Sequence, residues 1–183
     1  MERKISIQDS VEVSIEGKKI VVKGAKGEIT RNFRDPRFEK SLSIEKTDGE
    51  IVIKTTRDTK KLRAIAGTVE AHIKNMMFGV TVGYKYTMKI FYTHFPINVT
   101  IKDGEVQIRN FLGEKGARIS KLVGITEAKI EKDEIILTGV NLEELGQSAA
   151  NIERACKISK RDRRIFQDGI YLASRHLLTG EKA

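Results

Sequence analysis

Val11-Glu-Val-Ser-Ile15, followed by Ile20 and Val22, is written again about 86 residues later as Ile97-Asn-Val-Thr-Ile101, followed by Val106 and Ile108. Gly27-Glu28 recurs as Gly113-Glu114, and Ile44-Glu45-Lys46 reads again as Ile130-Glu131-Lys132. Leu62, Ala66, Val69 and Ile73 recur as Leu145, Ala149, Ile152 and Cys156, with the offset shortened to about 83. A near-constant offset across strand-like and helix-like segments is the mark of a tandem duplication. The segment after the second copy has no counterpart in the first, and it is strongly basic.

The repeated stretches carry their own secondary structure. Val11-Glu-Val-Ser-Ile15 alternates apolar and polar, Glu16-Gly17-Lys18 interrupts, and Ile20-Val21-Val22 resumes, so this predicts a hairpin. Ser43–Lys46 and Ile51–Ile53 flank Asp48-Gly49, which supplies the positive φ angles of a tight turn. From Thr59 to Met77 the apolar spacing becomes helical, through Leu62, Ile65, Ala66, Val69, Ile73 and Met76, with Asp58 or Thr59 as cap. Val80, Val82, Tyr84, Tyr86, Met88 and Ile90 then predict a long strand. In the second copy, 97–101 and 106–108 flank Asp103-Gly104, and 128–130 and 135–137 flank Lys132-Asp133-Glu134. Asn141 with Glu144 has the form of a capping box before a second helix lined by Leu142, Leu145, Ala149, Ile152 and Cys156. The fold class is α+β: two tandem duplicated domains, each an antiparallel sheet with one packed helix, plus a basic C-terminal extension. The expected boundaries are 1–80, 81–158 and 159–183.

The 183 residues carry a formal net charge of +9, with charged residues at 32%. A basic balance of this size suggests a polyanionic partner. The charge is uneven. Residues 1–88 hold 18 basic and 12 acidic side chains, 89–153 hold 8 and 10, and 154–183 hold 8 and 3. The first domain and the extension are therefore where phosphate contacts are expected. One cysteine excludes an internal disulfide and fits a reducing compartment. Neither a secretory leader nor a membrane-spanning run is read in the chain.

No catalytic or metal-binding constellation is read. His72, His94 and His176 are scattered, and Cys156 falls on the apolar stripe of the second helix, where a thiol is inert. No zinc spacing and no P-loop are present. Gly24-Ala-Lys-Gly27 and Gly113-Glu-Lys-Gly116 share the G-x-x-G form of the loop with which KH domains approach phosphates. A KH loop joins two helices, whereas here the preceding residues alternate as a strand. A plain loop with glycine at positive φ is the competing reading. The strongest local signal is Arg154-Ala-Cys-Lys157 running into Lys160-Arg161-Asp-Arg163-Arg164. Arg154 and Lys157 complement a helix C-terminus. The four further cations are explained by phosphate pairing. Ile165, Phe166, Ile170, Tyr171 and Leu172 are too apolar for a free tail, so the extension is expected to be anchored.

Ile20-Val-Val-Lys-Gly24-Ala-Lys-Gly27, Arg109-Asn-Phe-Leu-Gly-Glu-Lys115, Asn151-Ile-Glu-Arg-Ala-Cys-Lys157 and Asp162-Arg-Arg-Ile-Phe-Gln-Asp-Gly-Ile-Tyr171 carry a resemblance. Over nearly its whole length the chain resembles the archaeal and eukaryal branch of the large-subunit ribosomal protein family called L-six. The Pro-, Tyr-, Gly- and Lys-rich C-terminal motif of the bacterial branch is absent. The resemblance implies a structural, cytoplasmic protein that binds large-subunit rRNA near the translation-factor-binding region and the stalk base. It implies neighbouring ribosomal proteins as further partners, with no catalysis, no cofactor, no membrane and no small-molecule substrate. It places rRNA contacts at Lys115 and Arg118 and from Lys157 to Arg164. With the charge reading, the candidate set is Lys115, Arg118, Arg154, Lys157, Lys160, Arg161, Arg163, Arg164 and Arg175. A free-standing RNA-binding regulator with KH-like loops is the alternative class, and an RNA-acting enzyme is the third.

Overall fold

A computed structural model describes residues 2–8, 10–34, 41–47, 49–159, 161–162 and 164–179. The chain divides into two compact units, Met1–Val82 and Gly83–Ala183. In the first, strands β2 (Glu12–Glu16), β3 (Lys19–Gly24) and β4 (Gly27–Asn32) form one antiparallel sheet. Strands β1 (Glu2–Ser6), β6 (Glu50–Thr55) and β5 (Leu42–Thr47) form another, in the order β1-β6-β5. Helix α1 (Lys60–Thr81) packs on strands of both. The sequence predicts one sheet per domain, and the described structure has two. Each hairpin recruits its own short third strand, and the helix closes the space between them.

The second unit repeats the plan. Strands β8 (Asn98–Lys102), β9 (Glu105–Arg109) and β10 (Arg118–Lys121) form a sheet in the order β10-β9-β8. Strands β11 (Glu127–Glu131), β12 (Glu134–Gly139), β7 (Tyr84–Phe91) and β13 (Gly169–Leu177) form the other, in the order β11-β12-β7-β13. Helix α2 (Leu142–Ala155) packs against both. The registers establish the duplication. Val13 faces Val22, as Val99 faces Ile108. Ile5 faces Ile51, as Met88 faces Ile135. Two correspondences of the repeat differ from the sequence reading. Val22 faces Ile29 while Ile108 faces Arg118, so Gly116-Ala117, not Gly113-Glu114, is the counterpart of Gly27-Glu28. Ile44 faces Ile53 while Ala128 faces Leu137, so Ala128, not Ile130, is the counterpart of Ile44.

The helix boundaries also differ from expectation. Thr59, not Asp58, caps α1: its hydroxyl accepts from the Leu62 amide at 3.3 Å. Asp58 instead holds Arg63 through two contacts of 2.5 and 2.8 Å. The helix continues past Met77 to Thr81, and Val80, predicted as strand, is a buried helical residue. Val80 extends the stripe Ile73–Met76 at helical spacing, and the chain leaves the helix only at Gly83, whose φ is +78°. Asn141 accepts from the Glu143 amide, but Glu144 does not turn back to close a capping box; it accepts from the Ile125 amide at 3.3 Å.

Strand β13 lies in the segment read from the sequence as an extension. It pairs along β7 from Gly169↔Phe91 to Leu177↔Tyr84, with a bulge between Leu172 and Ser174. Ile170 is 1% exposed and joins Met88, Phe111, Leu137, Leu145 and Ile152 in the core. Burying a side chain of this size contributes roughly 1.5–3 kcal/mol, so the apolar half of this segment is anchored by its own unit.

Candidate nucleic-acid interface

The second G-x-x-G loop is built by left-handed backbone. Asn110, Leu112 and Gly113 have φ of +58°, +50° and +79°. Phe111 between them is fully buried and pins the loop to the core. The loop then rises through Glu114 and Lys115 to Arg118, the first residue of β10. Neither G-x-x-G loop joins two helices: Ala25-Lys26 is the turn of the β3–β4 hairpin, with Gly24 paired to Gly27. The KH arrangement is thus not that of this fold.

Arg118 binds inward. Its Nη1 donates to the carbonyls of Ala155 at 2.8 Å and Lys157 at 3.1 Å. Its other nitrogens grip both oxygens of Glu114 at 2.8 and 2.6 Å. Its guanidinium stands 4.3 Å from the Phe111 ring centre. Hydrogen bonding to Arg118 holds the Glu114 carboxyl below the usual range, and the charge of Arg161 adds to this. The arginine thus complements the end of α2, whose last carbonyls lack helical partners. It also clamps the loop to the helix. Lys115, at the loop's tip, is exposed and has no ion-pair partner among the described residues.

A second anchor is Asp168, 1% exposed just before β13. Its Oδ1 accepts from the amides of Thr93 at 2.5 Å and His94 at 3.2 Å. Its Oδ2 lies 2.7 Å from His94 Nδ1. Burial acts to raise the carboxyl's pKa, but the Thr93 and His94 donors outweigh it and hold the group at about 2. The His94 ring stacks on Phe166, centroids 4.6 Å apart, and Arg161 lies 4.8 Å from the same ring. Read from the sequence as one of three scattered histidines, His94 is part of this joint.

The structure brings most of the described candidate cations to one end of the second unit. Arg154 and Lys157, exposed at the end of α2, flank a groove that Phe166 also lines. Arg161 reaches the same place through Phe166 and Glu114. Arg164 projects outward but grips Asp162 at 2.9 Å, an exposed pair that raises the arginine's pKa. Arg175 stands apart. It is six residues into β13 from Gly169, roughly 20 Å by strand rise, and it lies over Tyr86 on β7. Lys160 and Arg163 lie outside the described residues. Cys156 is buried, and burial pushes its thiol up to about 11, as an inert core position requires. The sequence marks Phe166 and Tyr171 only as anchors. The signal that sets them beside the cations is an aromatic interleaved with a run of basic residues.

Among the described residues no group of three His, Cys, Asp or Glu side chains could hold a metal ion, and no helix is long and apolar enough to cross a membrane.

The geometry defines a duplicated α+β scaffold with a cationic, aromatic-lined end. The family model described as Ribosomal protein L6 matches residues 7–83 and again 95–169, once in each unit. The chain is 47% identical to the large ribosomal subunit protein uL6 of Methanocella arvoryzae, covering 94% of this chain and 96% of that one. It is 44% identical to that of Desulfurococcus amylolyticus over 92% and 91% of the two chains, and 43% identical to that of Sulfurisphaera tokodaii over 97% and 94%. The chain belongs to the ribosomal protein L6 family, whose members are structural and non-enzymatic.

Proposed function

We propose that this protein is a structural constituent of the large ribosomal subunit in the cytoplasm, and that it binds large-subunit rRNA through the second unit. Membership of the L6 family and relatives named as large-subunit proteins support the ribosomal role. The observation that carries the rRNA surface is Arg118. By holding the carbonyls of Ala155 and Lys157, it brings the Lys115 loop to the cations at the end of α2. Lys115, Arg154, Lys157 and Arg161 then form one cationic end without an acidic ion-pair partner among the described residues. Such a set neutralises phosphates and positions the chain without reading sequence. Lys160, Arg163, Arg164 and Arg175 complete the proposed contact set, with Arg118 acting chiefly by holding the loop. The first unit's basic excess leaves it available for further contacts.

The finer location proposed is the translation-factor-binding region at the base of the stalk, with neighbouring ribosomal proteins as partners. It rests on the family resemblance. Two experiments test the reading. Sedimented at high salt, the protein is expected to migrate with large subunits; a predominantly free pool would refute the ribosomal role. Because the single cysteine is buried, Lys115→Cys offers one reactive surface thiol for a tethered iron chelate. Cleavage of the rRNA is expected at the stalk base and factor-binding region, and cleavage confined elsewhere would refute the location.

A further inference from the structure

The groove at the end of α2 has the features of a built site. It has a volume of about 660 Å³, within the ~300–1,000 Å³ range of small-ligand pockets. Cys156 and Ile170, both buried, lie at its base. Two of its walls are aromatic and already fixed. Phe166 is held by the His94 stack and by Arg161. Tyr171, 48% exposed, donates its hydroxyl to the Gln167 carbonyl at 3.1 Å. Arg154 and Lys157 stand at the rim with no ion-pair partner among the described residues. Glu153 also lines the groove. Its Oε1 accepts from the Leu172 amide at 2.8 Å, and its Oε2 has no donor among the described residues.

We propose that this groove takes one unstacked rRNA nucleotide, its base against the Phe166 and Tyr171 rings and its phosphate on Arg154 and Lys157. The inference rests on the rRNA-binding reading above and deepens it from a charged surface to a site. Phosphate pairing alone needs no concavity. An apolar base with two fixed aromatic walls and a cationic rim matches a splayed-out nucleotide, the form in which RNA presents a base to a protein. Walls ordered before binding lose little entropy when the base enters. The free Glu153 oxygen accepts a hydrogen bond but donates none. It therefore favours the exocyclic amino group of a base such as cytosine over uracil, whose one donor, N3–H, lies between two carbonyl oxygens that repel a carboxylate.

The test uses the intact protein and deproteinised large-subunit rRNA. Ala150→Phe, on the α2 wall, fills the groove and leaves every cation in place. The dissociation constant is expected to rise about tenfold with the slope against salt unchanged. Unchanged affinity for this variant, with a folded thermal transition, overturns the inference. The rRNA reading survives that result if Arg154→Gln with Lys157→Gln weakens binding, and it fails separately if the wild-type protein does not bind rRNA. Should the filled variant not fold, the wild-type chain titrated with CMP and UMP decides. CMP is expected to shift the Cys156 and Tyr171 amide resonances at several-fold lower concentration than UMP. Equal response to CMP, UMP and inorganic phosphate, or no response, overturns it.

Discussion

Nη1 of Arg118 lies 2.8 Å from the carbonyl oxygen of Ala155, the last residue of α2, so a loop arginine serves as the helix's C-terminal partner. Hydrogen bonds to a charged group contribute roughly 1.5–3 kcal/mol each where they are shielded from water. Arg118 is only partly shielded and makes several. Arg118→Ala is expected to cost about 2 kcal/mol of stability in the second unit, measured by urea denaturation. Arg118→Lys recovers only part, because an ammonium cannot grip Glu114 bidentately while reaching two carbonyls. A variant as stable as wild type would show that the clamp contributes nothing.

Asp168 gives the fold an acid-sensitive joint. Its pKa is held at about 2, below the ordinary 3.8, so the folded state favours the ionised form. The stability this contributes is complete above about pH 5 and is lost as pH falls through the folded value near 2. A shift of this size corresponds to about 2 kcal/mol. Asp168→Asn should therefore lower the denaturation midpoint markedly at pH 6, and the difference from wild type should shrink toward pH 2. A gap independent of pH over that range would mean that packing, rather than charge, holds the Thr93-His94 turn.

The two G-x-x-G loops should respond differently to alanine. A Cβ at Gly24 would lie 2.7 Å from Val80 Cγ2 and 2.8 Å from its carbonyl oxygen, where the end of α1 meets the β3–β4 hairpin. The Lys26 amide donates to that same carbonyl at 2.9 Å. Gly24→Ala is expected to destabilise the first unit by roughly 1–3 kcal/mol, the usual cost of overpacking. At Gly116 nothing lies within 4 Å of such a Cβ, so Gly116→Ala should leave the unfolding midpoint within experimental error. Equal losses in calorimetry would contradict this contrast.

The duplication was legible because strands such as Val13–Ile15 and Val99–Ile101 alternate cleanly beside tight turns. The short strands were not. β1 and β4 each bury one side chain, Ile5 and Ile29, and β10 buries only Ser120. One inward residue sets no period, so such strands read as loops. The end of α1 was misread because Val80 and Val82 fit both a period of two and a helical stripe. Charge located the cationic end but could not separate Arg118, turned inward to α2, from Lys115, turned out. The Asp168–His94 joint spans 74 positions, and no local pattern records a partnership at that distance.

The clustered cations and the isolated one should differ in their response to salt. Arg154, Lys157, Arg161 and Arg164 lie around one end of the second unit, whereas Arg175 is roughly 20 Å along β13 over Tyr86. Each phosphate neutralised releases counterions and contributes about −0.7 to −0.9 to the slope of log affinity against log salt. If the four act together on rRNA, changing all four to Gln should flatten that slope by about 3. Arg164 is the weakest member, since it must first give up Asp162. Arg175→Gln should move the slope by less than one. Filter binding to deproteinised large-subunit rRNA at four or more salt concentrations measures both. A larger effect from Arg175 than from the cluster would move the interface to the β13 face, away from the Lys115 loop.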